Sequence, residues 1–239
     1  MELPKKCYDI LLASKLENVL SKVDLNSLML NNKISTNTSS SVAILSITNQ
    51  YEKNLSKGTL KIWKNLESPL SPVVARMEIN GIYIDKTKLK TISKELHLET
   101  TKLQKAILQE FEDKEININS TQQISQALNE KGFDLGKKNK KGIYSTKKEI
   151  LENLTTTDET GLIQKILDYR IVTKLASTFT DAFLKYIQDD GRIHGVYNQI
   201  GANTGRFSST EPNLQNIPIR HPKYGPLIRS CIASDEGKK

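Results

Sequence analysis

The side chains best suited to chemistry are concentrated in one stretch, "GANTGRFSSTEPNLQNIPIR", from Gly201 to Arg220. It has no amphipathic period, yet it carries two arginines, three asparagines, a glutamine and a cluster of hydroxyls, pinned by two prolines. Thr204-Gly205-Arg206 predicts a turn at Gly205 that brings the arginine forward. Ser208, Ser209 and Thr210 place three hydroxyls in a row. Asn213, Gln215 and Asn216 lie in a segment stiffened by Pro212 and Pro218, whose rings fix φ. Amides of Asn and Gln both donate and accept, and every base pair offers acceptors in the minor groove. Arginine reaches the same acceptors, or a phosphate. The residue types therefore fit a fixed surface for a nucleic-acid duplex. The alternative is a buried polar loop that satisfies its own backbone. That alternative does not readily account for so many long polar side chains beside Arg206 and Arg220.

Two further clusters have the same chemistry in weaker form. Seven lysines lie between Lys131 and Lys148, with Asp134 the only acid among the first of them, and Lys137, Lys138, Lys140 and Lys141 form their centre. Lysines on a mobile loop suit phosphate contacts without sequence preference, because counterion release needs no fixed geometry. A solvated loop kept soluble by its charge is the other reading. In "VTKLASTFTDAF", Lys174, Ser177 and Thr178 share a helix face opposite Ala176, Phe179 and Phe183. One lysine and two hydroxyls can grip a phosphate backbone, and an ordinary polar helix face would look the same. The whole chain of 239 residues has 35 basic and 27 acidic side chains, a formal net charge of +8, which suits a polyanion partner.

These clusters need elements to hold them. Residues 7 to 30 show a helix-like pattern interrupted around Lys22 to Asp24, and "NNKISTNTSSS" (Asn31 to Ser41) reads as a loop. Residues 42 to 66 regain a helical pattern. Ser68-Pro69 and Ser71-Pro72 predict the opening of a helix that ends at Asn80-Gly81 through a left-handed residue. "IYID" reads as a short strand, and Asp85 as the cap of the next helix. That helix carries Leu89, Ile92, Leu96, Leu103 and Ile107 as a narrow apolar stripe. Leu162, Ile166, Tyr169, Val172, Ala176, Phe179 and Phe183 form a matching stripe, so the two helices should pack antiparallel as an arm. Between them, Ser120 with Gln123 and Thr146 with Glu149 predict two capped short helices, with Gly132 a stop and the lysines on the link. The fold class expected is α+β, predominantly α-helical.

Hydrophobic content of 37% and charged content of 26% fit a core spread along elongated elements. Cys7 and Cys231 are far apart and show no metal-ligand spacing, which suits a reducing cytosol. No run of apolar residues is long enough for a signal peptide or a membrane span, so the expectation is a cytoplasmic protein without a membrane partner.

With these residues in view, the chain resembles family A DNA polymerases, the bacterial DNA polymerase I type. "TGRFSSTEPNLQNIPIR" is similar to the segment that opens the palm of that family. "SPLSPVVARMEINGIYID" resembles the entry to the thumb, and "NINSTQQISQAL" and "KKGIYSTKKEILENL" the thumb tip. "ILDYRIVTKLASTFTDAF" resembles the returning thumb helix, and "DDGRIHGVYNQIGANTGRFSS" the hairpin into the palm. "YDILLASKLENVLSKVDLNSLML" more weakly resembles the late part of the 3′–5′ exonuclease-like domain. The resemblance implies an exonuclease-like remnant at residues 1–66, a thumb at 67–190 with a long antiparallel arm and helical tip, and the first palm strands at 191–239.

It also implies roles. Arg206 matches the arginine at the minor groove of the primer terminus, and Asn213, Gln215 and Asn216 the segment that follows the minor groove. Ser208, Ser209 and Thr210 match hydroxyls along the primer–template backbone, as Lys174, Ser177 and Thr178 match the gripping face of the thumb helix. Lys137, Lys138, Lys140 and Lys141 match the loop that closes over DNA. Duplex DNA is thus the implied partner, and Mg²⁺ the cofactor of the complete polymerase. The departures matter equally. The palm carboxylates and the fingers are expected beyond Lys239, so the chain alone is expected to bind duplex without polymerising. Asp235 and Glu236 read as a solvent turn rather than metal ligands. Tyr51 is followed four residues on by Leu55, where the exonuclease motif has Asp, so proofreading is not expected. A second chain carrying the rest of the palm and fingers is one possible partner. A stand-alone duplex-binding module and a purely structural helical protein are the other classes that these features leave open.

Overall fold

Helix starts in this chain are set by short polar side chains that accept from orphan amides. A computed structural model describes residues 8–18, 24–113, 115–219 and 221–234. Asp235 and Glu236, like Cys7 and Arg220, lie outside the described residues. Two compact units emerge, one formed by residues 1–83 and 188–216, the other by residues 84–187 and 217–239.

In the first unit, Asp9 accepts from the Leu11 amide at 2.7 Å and opens α1 (Ile10–Glu17). Asp24 caps α2 (Leu25–Asn31) in the same way. The polar run read as a loop is shorter than expected, because Ser40 and Ser41 already belong to α3 (Ser40–Asn54). Ser56 then caps α4 (Lys57–Ile62). These helices close over Ile10, Leu12, Leu28, Met29, Ile47 and the fully buried Trp63. The indole N–H of Trp63 donates to the Asp9 carbonyl at 2.9 Å, so the one polar atom of the largest core side chain is satisfied.

The Ser-Pro pairs do not open a helix. α4 continues through a wide π-type turn (Trp63–Glu67) into α5 (Ser68–Asn80), with the Ser68 amide reaching back to the Trp63 carbonyl. Pro69 and Pro72 each remove a backbone donor, and the widened turn absorbs the mismatch where a regular helix would break. Gly81 ends α5 with φ 62 and ψ −174, a glycine-only extended conformation rather than the left-handed helical one expected. A Cβ there would lie 2.9 Å from the His194 ring. β1 (Ile82–Tyr83) then pairs antiparallel with β2 (Arg192–Ile193). β3 (Val196–Asn198) pairs with β4 (Ser208–Thr210), in the register Asn198↔Ser208 and Val196↔Thr210.

The second unit is the arm. Asp85 caps α6 (Lys86–Phe111), accepting from the Lys88 amide at 2.9 Å. The return is α9 (Leu162–Leu175), a second π-type turn (Ala176–Asp181) and α10 (Ala182–Tyr186) without a break. Polar pairs mark the antiparallel register at both ends. Lys165 Nζ meets Glu110 at 2.7 Å near the tip, and Asp181 accepts from Ser93 at 3.0 Å near the base. Leu89, Ile92, Leu96 and Ile107 of the predicted stripe are buried, with Leu103 half-buried; all seven residues of the facing stripe are buried.

At the tip, α7 (Thr121–Glu130) and α8 (Lys148–Leu154) pack on the arm through Ile124, Leu128 and Leu151, joined by Leu135 of the link. Ser120 caps α7 as expected, but the Gln123 side chain accepts from Asn117 rather than from the cap amide. Gly132, with φ 88, takes the chain out of α7. α11 (Tyr224–Arg229) and a bridge between Ile84 and Ile232 complete the unit. The chain is thus α+β and mostly helical. Among the described residues no helix is long and apolar enough to cross a membrane.

Truncating Leu96, fully buried in the arm, should cost about 2–5 kcal/mol as Leu96→Ala. Its neighbour Leu98 is 64% exposed, and Leu98→Ala should stay within about 0.5 kcal/mol. Urea unfolding followed by circular dichroism measures both.

Candidate nucleic-acid interface

In the arm, the predicted polar face is formed as drawn. Lys174, Ser177 and Thr178 are exposed, while Ala176, Phe179 and Phe183 are buried, the two rings edge to face at 6.1 Å. Ser177 and Thr178 sit within the widened turn.

The lysine-rich link is a hairpin tied by local hydrogen bonds. Lys138 bridges to Tyr144, the Asn139 amide donates to the Ile143 carbonyl at 2.9 Å, and Asn139 Oδ1 accepts from the amides of Lys141 and Ile143. Lys138 Nζ also lies 4.9 Å from the centre of the Tyr144 ring. Lys137, Lys138, Lys140 and Lys141 are all exposed. The hairpin stands beside an open cleft of about 600 Å³ whose wall includes Asn119, Thr121, Ser145 and Arg170.

Arg170 was not singled out by the sequence. Its guanidinium donates to the Thr146 carbonyl at 2.6 Å and to Thr146 Oγ1 at 2.9 Å. This corrects the reading of Thr146 as a helix cap. Thr146 is buried and held by Arg170, and α8 begins one residue after the uncapped Lys147. Burial pulls the Arg170 pKa down from the ordinary guanidinium range. The signal was available, because Arg170 lies four residues before Lys174 and so on the same helix face.

The opening stretch belongs to the other unit. Gly205 adopts φ 73, and its amide donates to the Ala202 carbonyl at 3.2 Å, a turn that leaves Arg206 exposed just before β4. The three hydroxyls are not equivalent. Ser209 is buried, its Oγ accepting from the Leu214 amide at 3.0 Å, whereas Ser208 is half-buried and Thr210 exposed. Past the cis Glu211–Pro212 bond, Asn213 Oδ1 accepts from the amides of Gln215 and Asn216 at 3.1 and 3.2 Å. The carbonyl of Asn213 thus builds the turn that turns Gln215 and Asn216 outward. Both are exposed, and among the described residues neither their amides nor Arg206 has a side-chain hydrogen bond. The described residues gather no group of three His, Cys, Asp or Glu side chains that could hold a metal.

Comparison with known proteins gives these segments a common frame. A model of "DNA polymerase family A" matches residues 86–239. The chain belongs to DNA polymerase family A. DNA polymerase I of Rhizobium leguminosarum is 40% identical over 184 residues, 76% of this chain and 18% of the relative. DNA polymerase I of Lactococcus lactis subsp. cremoris is 41% identical over 173 residues, 72% of this chain and 19% of the relative. The POL domain of Pol1 from M. smegmatis, solved with DNA primer-template and dNTP, superposes with a TM-score of 0.86 at 30% identity. That likeness covers 97% of this chain and 42% of the solved one. The chain therefore spans about a fifth of the length of the curated relatives it matches. In this family A chain the matched segments include every exposed cation and amide described above.

The strand pair that leads to Arg206 starts from a histidine. His194 Nδ1 lies 2.8 Å from the Glu78 carbonyl and Nε2 lies 3.0 Å from Asp190 Oδ2, so both ring nitrogens face acceptors. The Glu78 carbonyl, and then the Asp190 carboxylate, raise its pKa above the ordinary 6.5 against a smaller opposing effect of burial. The protonated ring therefore stabilises the hairpin fully below about 6.5, and this contribution is lost as pH rises through the raised folded-state value. The His194 ring should titrate above the free value by NMR, and stability should fall as pH climbs through that range. His194→Gln should flatten the dependence.

Proposed function

We propose that this chain is the primer–template gripping part of a DNA-directed DNA polymerase acting in replication and repair. The observation that carries the reading is a division of labour within one family A segment. Ser209 and the Asn213 carbonyl are used to build the loop, while Arg206, Gln215 and Asn216 are left exposed with their hydrogen-bonding groups unspent. Their outward amides and guanidinium fit the minor groove, which offers acceptors at every base pair and so reads duplex shape rather than sequence. Arg206 would sit at the primer terminus, with Gln215, Asn216 and the Asn213 amide following the groove. Ser208 and Thr210 would meet the backbone; Ser209, turned inward, would act by shaping the loop.

In the arm, Lys174, Ser177 and Thr178 would grip phosphates along the helix, and Lys137, Lys138, Lys140 and Lys141 would do so from the tip. A tied hairpin holds four ammonium groups at the surface before DNA arrives, which lowers the ordering cost of binding. Residues 1–66 would be the exonuclease-like remnant, 67–190 the thumb and 191–239 the start of the palm. Templated nucleotide addition in this family reading uses Mg²⁺ held by paired carboxylates. The acids would come from the remainder of the palm, on the same polypeptide or on a second chain, together with the fingers. The cytoplasm is the expected compartment.

Fluorescence anisotropy with a labelled primer–template duplex tests the reading. The affinity should fall with salt along a log–log line, and replacing Lys137, Lys138, Lys140 and Lys141 by Ala should reduce that slope by as much as about 3.6, if each contacts one phosphate. Arg206→Ala should weaken binding about three- to tenfold. Binding that ignores salt, or no binding at low salt, would sink the proposal.

A further inference from the structure

The loop that presents Arg206 has no regular structure between β3 and β4, so other elements must hold it. Its neighbours in the compact unit are the N-terminal helices. Ile200 packs against the core built on Ile10, Leu12, Ile47 and Trp63. Beside it, Gln199 Nε2 donates to Glu67 Oε2 at 3.0 Å and to the Glu67 carbonyl at 3.1 Å. At its other end, Gln199 Oε1 accepts from Ser71 Oγ at 3.1 Å. A primary amide engaged at both ends has a single orientation. Two residues after Gln199, Gly201 lies so close to the returning strand that a Cβ would fall 1.8 Å from Ser208 Oγ. The loop therefore leaves at Gln199 and returns at Ser208 through fixed points, and Arg206 is two residues from the second.

We infer that Gln199 and Ile200 are positioning residues that seat the Arg206 loop on the N-terminal helices and on Glu67 and Ser71 of the continuous α4–α5 rod. The inference gives the N-terminal helices a function that requires no nuclease chemistry: they are the platform that holds the primer-end arginine in place. It rests on the reading that Arg206 meets the duplex. Gln199 acts through orientation alone and touches no DNA.

Hydrogen exchange of the free chain and duplex anisotropy together test it. Gln199→Ala, and more so Gln199→Glu, which sets a carboxylate against Glu67, should speed exchange of amides 200–208 about tenfold and leave those of α6 unchanged. Adding Glu67→Gln to Gln199→Glu restores an amide–carboxylate pair with the roles reversed, and should restore protection. In binding, Gln199→Glu should weaken duplex affinity about three- to tenfold, with no further loss when combined with Arg206→Ala. Unchanged loop exchange in both Gln199 variants overturns the seat. So does a failure of the reversed pair to restore protection. A loosened loop with wild-type affinity overturns the link to Arg206, as does full additivity with Arg206→Ala. Wild-type affinity in Arg206→Ala itself would instead overturn the duplex reading, with the exchange result still deciding the seat.

Discussion

A helix of 26 residues with one apolar stripe gains little in water until a second stripe covers it. That covering is the constraint on which the arm depends. Leu89, Ile92, Leu96 and Ile107 are buried because the helical return from Leu162 to Tyr186 runs antiparallel against α6. The register is then marked at both ends by polar contacts, Lys165 with Glu110, and Ser93 and His97 with Asp181. Such contacts contribute modestly to stability, and the buried apolar stripes hold the register. The tip inherits this order. Its helices add Ile124, Leu128 and Leu151 to the same core, and Arg170 reaches from the arm to hold Thr146 beneath α8. A cationic surface is thereby carried on a packed scaffold.

The first unit reaches the same end with a different device. Its organising element is the continuous helix from Lys57 to Asn80, whose π-type turn lets Pro69 and Pro72 sit inside it. The N-terminal end of that rod buries Trp63. The other grips the strands that follow: the Glu78 carboxylate accepts from the Tyr197 amide at 2.7 Å, and the Glu78 carbonyl accepts from His194. Strands of two and three residues hold little structure by themselves. Side chains from the rod supply what the short ladders lack.

Periodicity made the arm legible, because both stripes repeat over several turns and burial follows repetition. Local capping by Asp85 and Ser120 was equally plain, since donor and acceptor are three residues apart. What failed were readings in which a distant residue competed for a local signal. Thr146 has the spacing of a cap, but Arg170, 24 residues away, takes its oxygen atoms. The Ser-Pro pairs look like a helix start, but the preceding turn widens and carries the helix through them. Composition showed the charge of the lysine link but not its hairpin, which Asn139 ties through four short hydrogen bonds. At the candidate interface, residue types identified the surface, but not which atoms remain free. Ser209 and the Asn213 carbonyl are consumed by the loop itself.

That last distinction bears on how one surface would accept any duplex, as proposed. A group that both builds the loop and contacts DNA would have to break one interaction to make the other, and its geometry would shift with each base pair. In the proposed reading the two tasks fall on different atoms. Asn213 Oδ1, Ser209 Oγ and the tight approach of Gly201 to Ser208 fix the backbone. The Arg206 guanidinium and the Gln215 and Asn216 amides remain outside that network. Acceptors recur in the minor groove at every base pair, so donors fixed in space meet a partner whichever base pair lies opposite. A rigid mount with unspent donors is tolerant of sequence and strict about shape, and the polar density of residues 201–216 follows from needing both sets of groups in one short stretch.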